Sequence, residues 1–92
     1  MNKAQLNYVE LKNAVQAALA GNWDVSHKFA QNHSDNYANW LHAILHKIEG
    51  DESNSRYWYA RTAGQRFEDF SSAEDELKYF LETISQIDSM KP

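Results

Sequence analysis

The chain has 92 residues, enough for one modest core and too few for a core plus a separate cofactor domain. A net charge of -4 without a basic stripe excludes sequence-independent nucleic-acid binding, which draws its affinity from phosphate neutralisation. The absence of cysteine excludes disulfides and thiolate chemistry, so any metal needs His and carboxylate ligands.

Hydrophobic residues make up 42% of the chain, sufficient for folding, while a mean hydropathy of -0.74 demands a strongly polar surface. No apolar run approaches the ~20 residues of a membrane span, and the N-terminus has no signal-peptide core, so a cytoplasmic location is expected. Residues 1–67 carry seven Lys and Arg against six Asp and Glu, whereas residues 68–92 carry two against seven, which puts the acidity in the last helix. The basic group Lys47, Arg56, Arg61 and Arg66 reads as local charge on the central hairpin.

In chain order, residues 4–20 form a first helix with Tyr8, Leu11, Val15, Ala18 and Leu19 inward and Gly21 as its stop signal. Asn22 can cap a second helix from Trp23 to about Asn32, where Val25 and Phe29 pair at i, i+4 and His27 lies near Trp23 and Ala30. Ser34 or Asp35 caps a third helix, whose Tyr37, Leu41, Ile44, Leu45 and Ile48 make one apolar stripe. Gly50 suits the left-handed turn that closes it, and Asp51 can cap the next helix. That fourth helix spans 52–63, with Ser55, Trp58, Tyr59 and Thr62 facing the core and Arg56, Ala60 and Arg61 outward or flanking. Gly64 ends it, and Phe67 and Phe70 anchor the loop 64–71. Ser71-x-x-Glu74 reads as a capping box for a closing helix 72–88 with Leu77, Phe80, Leu81, Ile84 and Ile87 on its apolar face, and a frayed tail from Asp88. Glu74-Asp75-Glu76 reads as first-turn acid favouring the helix dipole.

The expected fold is therefore all-α, about five helices in one domain over 1–92: hairpins at 4–32 and 37–63 and a C-terminal capping helix. A shift of 29 residues aligns Tyr8 with Tyr37, Val15 with Ile44, Gly21 with Gly50 and Ser26 with Ser55. This weak repeat resembles the tetratricopeptide and Sel1-like hairpins, although its period is shorter than their usual ~34.

The string His42-Ala-Ile-Leu-His-Lys-Ile-Glu-Gly-Asp51, followed by Asn54-Ser-Arg-Tyr-Trp-Tyr59, carries a second likeness. It resembles a family of small bacterial and fungal helical proteins with the pattern His-Ala-x-Leu-His-Arg-x-Glu-Gly-Asp, then Asn-Ala-x-Tyr-Trp-Tyr. The match covers roughly a quarter of the chain, with a looser echo around His27, and departs from the pattern at Lys47 and Ser55. It implies a helical fold and no particular activity.

His42, His46 and Glu49 stand at i, i+4 and i+7 on one arc of the third helix. Three readings are open. With His27 and Arg61 these residues can form a polar pocket for a peptide or small anion, which makes the domain a binding or scaffold module. Alternatively, His42, His46 and Glu49 can ligate a divalent metal, with His27 as a possible fourth donor, in a metal-binding protein or metal-dependent enzyme. They can also lie at the core boundary, bonded to Glu49, Asp51 or backbone. The metalloprotease signature fails, because Ala43 stands where it requires glutamate. No nucleophile motif, phosphate loop or dinucleotide fingerprint occurs, so binding is expected rather than catalysis, with no cofactor beyond such a metal. Tyr57-Trp58-Tyr59 spans about 200° of helix and cannot face one ligand. Trp40 and Tyr57 are the candidates for a homodimer contact, with packing on a neighbouring helix the other reading of Trp40.

Overall fold

The computed structural model describes residues 7–90, which form an all-α fold of five helices: α1 (Tyr8–Leu19), α2 (Trp23–Gln31), α3 (Asn36–Glu49), α4 (Glu52–Tyr59) and α5 (Ala73–Ser89), with a 3-10 turn at Phe67–Asp69. No helix among these residues is long and apolar enough to cross a membrane. The part of the expected first helix before Tyr8 falls partly on residues 4–6, outside the described region.

Short polar side chains start most of the helices, because they satisfy backbone N–H groups that have no partner within the first turn. Asn7 accepts from Val9 and Glu10, Asp35 from Tyr37 and Ala38, and Asp51 from Asn54. Two caps differ from expectation. Asn22 occupies the cap position of α2 without a side-chain capping bond, and Ser72, one residue after the expected Ser71, caps α5 by accepting from the N–H of Asp75.

The two aligned glycines share one backbone conformation. Gly21 and Gly50 take φ of 87° and 85°, and each closes its helix with the same pair of bonds. Asn22 N donates to Ala17 O and Gly21 N to Ala18 O; Asp51 N donates to His46 O and Gly50 N to Lys47 O. This is the Schellman closure, which needs a left-handed residue and so favours glycine. Ser26 and Ser55, another aligned pair, are both fully buried. Ser55 Oγ donates to Ala43 O at 2.6 Å, while Ser26 Oγ has no hydrogen-bond partner among the described residues.

The helices pack as two hairpins, α1 with α2 and α3 with α4, while α2 lies on α3 and α5 runs against α1 and α3. α3 is therefore surrounded, and every residue from Ala38 to His46 is buried, polar ones included. Its stripe ends early: Ile48, expected inside, is 45% exposed. Val25 is exposed as well, α4 stops at Tyr59 rather than 63, and α5 continues to Ser89, tied back by Lys12 to Asp88 at 3.2 Å. The apolar core joins Leu11 and Val15 of α1, Leu41, Ile44 and Leu45 of α3, and Leu77, Phe80 and Ile84 of α5. Each such side chain contributes about 1.5–3 kcal/mol on burial, so α5 is firmly held. α2 brings only Ser26 and Ala30 to full burial.

Trp40 is a core residue and not an interface residue. It is 2% exposed, stacks on Phe80 at 4.3 Å, and donates Nε1–H to Glu76 Oε2 at 2.8 Å. Glu76, one of the first-turn acids of α5, is itself 1% exposed. It also accepts from Tyr59 Oη at 2.8 and 2.9 Å and from Lys47 Nζ at 2.7 Å. Lys47 donates in addition to Phe67 O and Phe70 O, which pins the loop 64–71 against α3. The two phenylalanines are half-buried, as their anchoring role requires.

Candidate metal centre

Three helices assemble the histidine cluster. On α2, Trp23 and His27 are separated by four residues, so their rings stack at 4.5 Å and 16°. Trp23 donates Nε1–H to Leu45 O at 2.7 Å, which fixes the indole, and with it His27, against α3. On α3 the same spacing stacks His42 and His46 at 5.0 Å. From α4, whose close approach Ser55 permits, Trp58 lies flat on His42 at 4.0 Å and 11°.

The result is a group of three imidazoles, His27, His42 and His46, whose ligand nitrogens lie within 4.8 Å of one another. Two of these rings are buried and His27 is half-buried. His27 Nε2 and His42 Nε2 are 3.1 Å apart, one donating and the other accepting. A tetrahedral ion with metal–nitrogen bonds of about 2.0–2.1 Å has ligand atoms roughly 3.3–3.4 Å apart, so this pair already stands near a coordination edge.

Burial pushes the His42 imidazole down to about 4, and the neighbouring His27 and His46 add to the effect because a second positive charge is unfavourable there. Burial likewise lowers His27, helped by His46 and opposed by Glu49 and Asp24. Both rings are therefore neutral at pH 7, which leaves nitrogen lone pairs available.

Of the metal set expected from sequence, His42 and His46 group with His27, the further donor the sequence offered, while Glu49 groups with His46 and Asp51. Glu49 lies behind His46, with Oε1 2.9 Å from Nδ1. Arg61, expected in the same pocket, is engaged elsewhere. It follows the end of α4 and folds back, its guanidinium 3.6 Å above the Tyr57 ring and NH1 donating to Tyr57 O. His33 is separate too, stacked on Phe29 with Nδ1 at 3.0 Å from Phe29 O.

The indole walls Trp23 and Trp58 were not among the sequence candidates for the site. The i, i+4 spacing to His27 could have flagged the first, but no local signal pairs Trp58 with His42. Three surface grooves lie at other residues, the widest of them about 420 Å³ between Arg56, Tyr59, Arg66 and Phe67. Chemically, the cluster offers converging nitrogen donors between aromatic walls. Comparisons with protein-family models, curated proteins and solved structures found no match to this chain, so the geometry alone carries the functional reading.

Proposed function

We propose that this helical domain binds a divalent transition-metal ion of the zinc class through His27, His42 and His46. The observation that supports this is the convergence of three imidazoles from two helices, with one nitrogen pair 3.1 Å apart. Imidazole donors suit zinc, copper, nickel and iron, and the chain has no cysteine to bias the site toward softer ions. Three protein ligands leave a fourth tetrahedral position for water or an incoming donor. This reading takes precedence over a peptide or anion pocket, because Arg61, the cation such a pocket would use, is turned onto Tyr57.

Competition of the protein with a chromophoric chelator for zinc tests the reading. Wild type is expected to take one equivalent and to gain about 2.7 kcal/mol of stability when free zinc is a hundredfold above Kd. His27→Ala, at the half-buried position, should lose most of that affinity while keeping the fold. Equal weak binding by wild type and by His42→Ala/His46→Ala would remove the metal reading.

A further inference from the structure

We infer that Glu49 is the positioning residue of this centre: held behind His46, it fixes the tautomer that leaves the lone pair on Nε2, the nitrogen remote from Glu49, for an ion shared with His27 and His42, and so sets zinc affinity without touching the ion. This rests on the metal reading above. An ionised carboxylate can only accept hydrogen bonds, so the imidazole nitrogen 2.9 Å from Glu49 Oε1, which is Nδ1, must carry the proton. In a neutral ring the lone pair is then on Nε2, across the ring from Glu49.

The position of Glu49 supports a role of this kind. An acid in the last turn of α3 opposes the helix dipole, and the side chain is about half exposed. Among the described residues its ion-pair partner is His46. Asp51 is also near His46, but its Oδ1 accepts from Asn54 N and Ser53 Oγ and is committed to starting α4. Carboxylate partners behind metal-bound histidines orient the ring and raise its basicity, and their loss typically weakens metal binding ten- to a hundredfold.

The test measures zinc affinity of wild type, Glu49→Ala and Glu49→Gln by chelator competition, together with the side-chain nitrogen-15 shifts of His46 in the zinc-free proteins. Glu49→Ala is expected to bind ten- to a hundredfold more weakly and Glu49→Gln to fall between, since an amide oxygen still accepts from Nδ1–H but brings no charge. His46 should show Nδ1–H in wild type and a tautomer mixture in Glu49→Ala, with zinc-free melting temperatures alike. Wild type and Glu49→Ala agreeing within twofold, or a wild-type His46 protonated on Nε2, overturns the inference alone. Failure of wild type to take zinc overturns the metal reading and this inference together.

Discussion

His46 and Lys47 are neighbours on α3, yet they enter two buried polar clusters of opposite character. Around Lys47 and Glu76, a cation meets an anion, and Trp40, Tyr59 and two backbone carbonyls complete the set. Around His46 there are three rings of one kind, and the His27–His42 contact holds together only because one ring donates and the other accepts. Buried polar groups are tolerated when each has a partner of opposite sense. The first cluster meets that condition within itself and behaves as part of the core. The second meets it only between groups of one kind, since each neutral imidazole brings one N–H and one lone pair, and the lone pairs are what a cation would use.

The largest break in the comparison comes from Glu76→Ala. It strands Lys47, Tyr59 and Trp40 in the interior and should destabilise the fold by about 3–5 kcal/mol, read by urea unfolding. Replacing Lys47 and Glu76 together by Met and Leu should recover a large part of that loss, because no unpaired charge remains buried.

Next in size is the response to acid. His42 has a depressed folded-state pKa, so between about 4 and its ordinary 6.5 the unfolded chain binds the extra proton. Stability is therefore complete above pH 6.5 and falls as pH drops toward 4, by up to about 3 kcal/mol, with His27 acting in the same direction. Unfolding curves across that window should flatten in His42→Ala. The Glu76 cluster responds at the other end of the scale. Burial, and then Glu76, hold the Tyr59 phenol well above its ordinary 10, so its contribution declines only as pH rises past 10.

The smallest effect belongs to a residue that serves both clusters. Ser55 lets α4 approach α3, and this delivers Trp58 to His42 and Tyr59 to Glu76. Ser55→Ala removes one buried hydrogen bond and should cost about 1 kcal/mol, read by urea unfolding, with both clusters intact.

What the sequence made legible follows from the range of each signal. Helix periodicity, the Gly21 and Gly50 stops and the Asp35 and Asp51 caps act over a few residues and appear in the structure where expected. His42 and His46 share a helix, so their stacking was legible as well. The arrival of His27 depends on how α2 docks, and local spacing could offer it only as a possible extra donor. Glu74, Asp75 and Glu76 do stand in the first turn of α5, but that local rule gave no sign that Glu76 is buried. Its true partners lie 17, 29 and 36 residues away, beyond any local pattern. Between the two readings of Trp40 the sequence could not choose, since its indole N–H needs a buried acceptor that only the folded chain supplies.

α2 contributes no large side chain to full burial, and its one fully buried hydroxyl, on Ser26, lacks a partner among the described residues. What fastens it to α3 is an indole bond and an imidazole bond, together with Trp23 and Phe29, which rest half-buried against the core. α2 thus seals less apolar side chain inside than any other helix. An ion spanning His27 and His42 would add a further tie between α2 and α3, so loading the centre would brace the first hairpin against the third helix.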